Sequence, residues 1–169
     1  MRITLIGMAG AGKSTVSKVL AKKLNYKLID IDKVIVKERN MSLNQLIKSF
    51  GEDGFIKIEE QAVLKLKMPR NCIISTGGSI IYSEDAMNRL KKETVIIFLD
   101  TPLQTIIERI KIPENRGLVG LNQNNTVSDI FKQRYELYKK HADIIITTDG
   151  NENISEIIKK ISDKINLTF

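Results

Sequence analysis

Residues Gly7-Met8-Ala9-Gly10-Ala11-Gly12-Lys13-Ser14 follow the spacing G-x-x-x-x-G-K-[ST] in full. Glycines let a backbone wrap round a polyphosphate and aim its N–H groups at the oxygens. In such a loop Gly10, Ala11 and Gly12 supply the cradle, with Thr15 one step into the following turn. Lys13 would reach the β- and γ-phosphates, and the Ser14 hydroxyl would ligate Mg²⁺. A helix beginning near Gly12 would add its positive end. The flanks agree, since an apolar strand precedes the loop and an amphipathic helix follows it, which argues against a chance glycine-rich turn. ATP and Mg²⁺ are the cofactors these residues imply.

A phosphate loop names the nucleotide and leaves the reaction open. The base-reading N-K-x-D of GTPases is absent. Asp53-Gly54-Phe55 is followed by Ile56-Lys57, so the D-G-F-P-R stretch of nucleoside monophosphate kinases is not completed. Two features suggest an acceptor side. The second expected strand runs into Asp30-Ile31-Asp32, where strand alternation would put both carboxylates on one side near the loop. One could support Mg²⁺ and its waters, and the other could hold and deprotonate an acceptor hydroxyl. The alternative is a polar loop in which Asp32 caps the next helix. Thr76-Gly77-Gly78-Ser79 follows the third expected strand, where glycines allow close approach of a ligand or simply a tight turn.

Short β-branched runs alternate with longer helical patterns. Strands are expected at Ile3–Ile6, Lys27–Ile29, Cys72–Ser75, Val95–Leu99 and Ile144–Thr147. Their near-continuous apolar character suits a parallel sheet covered on both faces. Helices are expected at Lys13–Leu24, Lys33–Arg39, Leu43–Phe50, Ile56–Lys67, Ser83–Leu90, Leu103–Lys111, Val127–Lys140 and Ile154–Ile165. Ser42 with Gln45, and Thr126 with Asp129, read as helix starts, and Pro102 reads as a first-turn proline. The whole is a single α/β domain over residues 1–169. The stretch Ile112–Asn125 breaks the rhythm with Pro113, Gly117, Gly120 and several asparagines, and reads as a lid.

Composition narrows the classes further. Cys72 and His141 are the only cysteine and histidine, which excludes an internal disulfide, a thiolate metal site and a Ser-His-Asp triad. The net charge of +7 suits an anionic ligand, but the lysines are scattered and no aromatic stacking platform accompanies them. Nucleic acid is therefore not expected as a partner. No apolar run approaches the ~20 residues of a membrane span, so a cytoplasmic monomer is expected.

The motifs GMAGAGKSTV, LIDID, MSLNQLIKSFGEDGF, STGGS, RGLVG and QRYELYKKHADIIITT, in this order over residues 3–148, resemble the shikimate kinases. The resemblance implies a five-stranded parallel sheet with a phosphate loop and a lid, and transfer of the ATP γ-phosphate to the 3-hydroxyl of shikimate. It implies that Lys13 and Ser14 take the roles already given and that Asp30 sits near Mg²⁺ through water. Asp32 would bind the acceptor hydroxyl and act as base, and Gly77 and Gly78 would offer backbone contacts. Arg116 in the lid would stabilise charge during transfer. Arg109 resembles the arginine beside the adenine, Arg134 the one that grips the acceptor carboxylate, and Glu59 an acid lining that pocket.

The chain departs from the pattern at one telling position. The family reads G-E-x-x-F-R-x-x-E, whereas Gly51-Glu52-Asp53-Gly54-Phe55-Ile56-Lys57-Ile58-Glu59 puts Ile56 where that arginine stands. Lys57 is one helical step away, rotated by ~100°. Losing a charge-assisted bond to a carboxylate costs ~1.5–3 kcal/mol, about tenfold to a hundredfold in binding. Ser79 for the last glycine of T-G-G-G, and Arg116-Gly117-Leu118-Val119 for R-P-L-L, are smaller changes that remove no catalytic group. With Ile56 the pocket is expected to be less positive and more apolar. Shikimate is the first reading of the acceptor. A hydroxy amino acid such as homoserine is the alternative, and a non-catalytic nucleotide-binding regulatory module is the reading from another class.

Overall fold

The computed structural model describes residues 1–110, 118–121 and 124–166. Five strands, β1 (Arg2–Ile6), β2 (Lys27–Asp30), β3 (Cys72–Ser75), β4 (Val95–Asp100) and β5 (Ile144–Thr147), form one sheet in the order β2-β3-β1-β4-β5. Every pairing is parallel. Helices α1 (Lys13–Leu24), α2 (Ile31–Arg39), α3 (Leu43–Leu64), α4 (Glu84–Glu93), α5 (Leu103–Arg109), α6 (Val127–His141) and α7 (Ile154–Ile165) cover it, with a 3-10 turn at Ile80–Tyr82 that the sequence pattern does not anticipate.

The central strands are buried on both faces, and alternation sorts their side chains into two layers. Ile3, Leu5, Ile73, Ile97 and Leu99 pack with Val16 and Leu20 of α1 and Ile158 and Ile161 of α7. Ile6, Ile74, Ile96 and Phe98 pack on the other side with α2, α3, α4 and α6. Each fully buried isoleucine or leucine contributes about 1.5–3 kcal/mol, so this double burial fixes the register. Leu5 stands opposite Ser75 and Ile97, and Asp30 opposite Ser75, so the carboxyl ends of β1, β2 and β3 finish level.

The break expected between helices at Leu43–Phe50 and Ile56–Lys67 is present within α3 at Gly51, whose non-helical φ of 69° and ψ of 177° only glycine adopts readily, although the second helical part begins before Ile56. Two expectations are corrected. Helix α2 begins at Ile31, two residues early, because Asp30 is its N-cap and accepts the Lys33 N–H at 3.2 Å. Pro102 is the N-cap of α5 rather than a first-turn residue. The capping boxes at Ser42/Gln45 and Thr126/Asp129 are both formed. No helix among the described residues is long and apolar enough to cross a membrane.

The C-terminal end of α3 is held from outside. Arg89 of α4 donates to the carbonyls of Val63 (2.7 Å), Leu64 and Leu66 (2.7 Å), and its Nε pairs with Glu93 at 3.0 Å. They lie at or just past the helix end, where carbonyls lack a full set of partners and a guanidinium suits them. Arg89→Ala should cost about 2 kcal/mol, read as a fall of roughly 4–8 °C in thermal midpoint for a chain of this size. An unchanged midpoint would mean that water caps α3 equally well.

Candidate active site

The phosphate loop leaves β1 at Gly7, whose φ of 141° brings it so close to β4 that a Cβ would lie 2.9 Å from the Leu99 carbonyl. The loop is pinned again where the Thr101 hydroxyl donates to the Ala11 carbonyl at 3.2 Å. Gly12 ends it as the N-cap of α1. Lys13 curls back over the loop and donates from Nζ to the Gly7 and Met8 carbonyls, both at 2.8 Å. Ser14 and Thr15 are exposed in the first turn of α1. These groups open into a cleft of about 380 Å³.

At one end of the cleft, Arg109 of α5 bridges the phosphate loop and the loop before α7, donating to Gly10 O at 3.5 Å and Gly150 O at 2.9 Å. At the other end the cleft is lined by Asp32, Glu59, Gly77, Gly78 and Arg134. Asp32 gets there from the first turn of α2, not from a strand face. The expected sharing of one side with Asp30 is therefore overturned, because the chain turns helical at Ile31 and Asp30 is spent on the cap. Asp30 does not line the cleft.

Gly77 and Gly78 are glycines for space. A Cβ on Gly77 would lie 2.0 Å from Glu59 Oε1 and 3.0 Å from Asp32 Oδ1. One on Gly78 would lie 3.0 Å from an Arg134 nitrogen and 3.4 Å from the Ala9 N. Arg134 is 1% exposed. It donates to the Val119 carbonyl at 2.7 Å and to the Tyr82 hydroxyl at 3.3 Å, and lies 5.2 Å over the Tyr82 ring. Among the described residues no ion pair joins it. A buried guanidinium without a counter-charge is costly unless an anion completes it.

Glu59 is as deeply buried, and its Oε1 has no hydrogen-bond partner, while Oε2 accepts from the Ser79 hydroxyl. Burial pushes its carboxyl up to about 8; the Ser79 bond opposes that rise, the Asp32 charge adds to it, and Arg134 and Lys13 oppose it. Tyr138, one turn on from Arg134, donates to the Gly78 carbonyl at 2.6 Å and stacks on Phe98.

The arrangement joins an anion-binding loop to a pocket with a carboxylate, a second carboxyl and a buried cation, as transfer of a phosphoryl group to a hydroxylated acid requires. The shikimate kinase family model matches residues 9–166. This chain belongs to the shikimate kinase family. The family comprises phosphotransferases that use ATP and act on a hydroxyl group. The shikimate kinase of Persephonella marina is 35% identical over 162 residues, 94% of this chain and 98% of the relative. That of Thermodesulfovibrio yellowstonii is 37% identical over 161 residues, 94% and 92% of the two chains. The solved shikimate kinase from Acinetobacter baumannii in complex with shikimate superposes with a TM-score of 0.87 at 27% identity, over 98% of this chain and 92% of that one.

Of the positions matched to the family, Arg116 and most of the expected lid lie outside the described residues; Leu118 and Val119 line the cleft. Ile56 corrects the expectation of a more apolar pocket. It does not line the cleft, but packs against the core and faces a separate hollow with Glu52, Asp53 and Glu60. The sequence reading did not single out Tyr82 or Tyr138, although Arg134 and Tyr138 stand four apart in QRYELY, one above the other on α6. It noticed Ser79 only as a harmless departure.

Glu59 also makes a stability prediction. Between its ordinary value of 4.5 and about 8 the folded chain keeps a proton that the unfolded chain has released. The carboxyl's contribution is therefore fully present below 4.5 and is lost as pH rises through 8. From about pH 6 to about pH 9 the thermal midpoint should fall more steeply for the wild type than for Glu59→Gln. Parallel curves would show that Glu59 is ionised at neutral pH.

Proposed function

We propose that this protein transfers the γ-phosphoryl group of ATP to the 3-hydroxyl of shikimate. The observation that carries the reading is the cleft in which the phosphate loop, Asp32 and Arg134, which has no ion pair among the described residues, meet. The choice of acceptor follows the shikimate kinases to which this chain is similar.

In this reading the acceptor carboxylate completes the charge of Arg134, a guanidinium already fixed by Val119 and Tyr82 and so pre-organised for a planar partner. The backbone at Gly77 and Gly78 lies against the ring. Asp32 accepts a hydrogen bond from the reacting hydroxyl and takes its proton as the oxygen attacks. The new bond to the γ-phosphorus forms as the bond to the β–γ bridging oxygen breaks, releasing ADP. Lys13 and the loop N–H groups hold the phosphates, and Arg109 flanks the adenine. Arg116 would add its charge to the transferring group.

The residues present fit Mg²⁺, a hard cation that keeps several waters and prefers one or two protein oxygens plus phosphates. The described residues hold no cluster of three metal-binding acids, and the exposed Ser14 hydroxyl at the phosphate loop would be the protein donor, since Asp30 caps α2 and does not line the cleft. When bound, the ion would neutralise charge on the β- and γ-oxygens. Every group in the scheme comes from one chain, so a monomer suffices.

A coupled ADP-release assay with Mg·ATP against shikimate and homoserine tests the reading. Turnover with shikimate supports it, while turnover with homoserine alone assigns a hydroxy amino acid. Tight ATP binding without turnover on any acceptor points to a regulatory module. Asp32→Asn should lower kcat by about 10²–10⁴ while leaving ATP affinity in place by calorimetry. Retained turnover would remove Asp32 from the role of base.

A further inference from the structure

We propose that Ser79 is a positioning residue of the acceptor pocket, whose hydroxyl fixes one oxygen of the Glu59 carboxyl so that the other is presented to the acceptor. The proposal rests on the reading of the cleft as an acceptor site. Ser79 is 4% exposed and Glu59 1%, and both line the cleft. Ser79 Oγ donates to Glu59 Oε2, and among the described residues this is the one hydrogen bond the carboxyl makes. Among the described residues no ion pair reaches it. Its torsion about the terminal carbon is therefore set by a single donor.

The oxygen left over is aimed at something. Glu59 Oε1 closes on the same point as Asp32 Oδ1, the place where Gly77 lacks a Cβ. A buried acceptor atom without a partner is costly, and it is tolerated where a ligand group completes it. A hydroxyl of the acceptor, beside the one held by Asp32, supplies that partner. The charged groups facing Glu59 are Asp32, Lys13 and Arg134. None is bonded to it, so they bias its proton without fixing its orientation. The chain also carries Ile56, turned toward the neighbouring hollow, where an arginine one turn before Glu59 could have held the carboxyl from the other side. Ser79 is a small donor that does this from the glycine turn instead.

Ser79→Ala tests the assignment through steady-state kinetics and through the side-chain carboxyl resonance of Glu59, assigned by its loss in Glu59→Gln. The acceptor KM should rise about tenfold, the worth of one buried hydrogen bond, with kcat changed less and the KM for ATP held. Because the lost donor favoured the ionised form, the Glu59 midpoint should move upward. Ser79→Thr keeps the hydroxyl and should restore both values. If the alanine variant does not fold, Ser79→Cys, a weak donor of similar size, should give an intermediate acceptor KM. An acceptor KM and a Glu59 midpoint equal to wild type, even with a lowered thermal midpoint, would make Ser79 merely structural and overturn the proposal. Failure of the wild type to turn over shikimate sinks the acceptor reading instead, and the resonance still reports on the Ser79–Glu59 bond.

Discussion

The Gly77–Gly78 turn can reach the phosphate loop because neither residue carries a Cβ, and the rest of the site is arranged around that approach. The Thr76 N–H and hydroxyl both donate to the Leu5 carbonyl, at 3.3 and 3.1 Å, so the turn is lashed to β1 at the point where the phosphate loop departs. Parallel pairing brings the ends of β1 and β3 level, and the turn then projects straight into the crevice between them. Glu59 and Asp32 pack on Gly77, and Arg134 and the Ala9 N on Gly78. A methyl at either position would push a charged group away from the nucleotide.

That close packing sets the electrostatics. Two carboxyls and two cations share one small volume, where burial acts on each of them differently. Arg134 is satisfied by a carbonyl and a phenol, neither of which neutralises it. Glu59, raised by burial, is mostly an uncharged acid at neutral pH, so it does not drain the positive charge that an anionic acceptor needs. The pocket thus keeps the charge of Arg134 beside Asp32, the two groups on which the proposed acceptor site rests.

Much of this was legible before the fold. The phosphate loop announces itself by spacing, α1 and α7 fall at the expected residues, and all five strands appear within a residue of their expected ends. What failed were places where side chains decide local backbone. Asp30 prefers to cap α2, which turns Asp32 onto a helix, and the helix after Gly51 starts before the expected Ile56. The Ser79–Glu59 bond was invisible because it joins a helix to a turn 20 residues on, and no periodicity reports such a contact. The burial of Arg134 was hidden likewise, since a helical arginine carries no mark of which layer will cover it.

The same contacts show what holds Arg134 in a chain with Ile56. Arg134 takes its tightest bond from Val119, in the described stretch 118–121 that follows Arg116, and the next residue, Gly120, donates to Glu52 at 2.8 Å on α3. The helix that lacks the arginine therefore still braces the cation that remains, through the segment adjoining the expected lid. A guanidinium held in place loses less rotamer entropy on binding than a mobile one, a saving of about 0.5–1.5 kcal/mol. That offsets part of the ~1.5–3 kcal/mol that a second charged contact would bring. Arg134, the segment 118–121 and α3 are in this way one mechanical unit, because whatever moves Val119 also moves the carbonyl that holds Arg134.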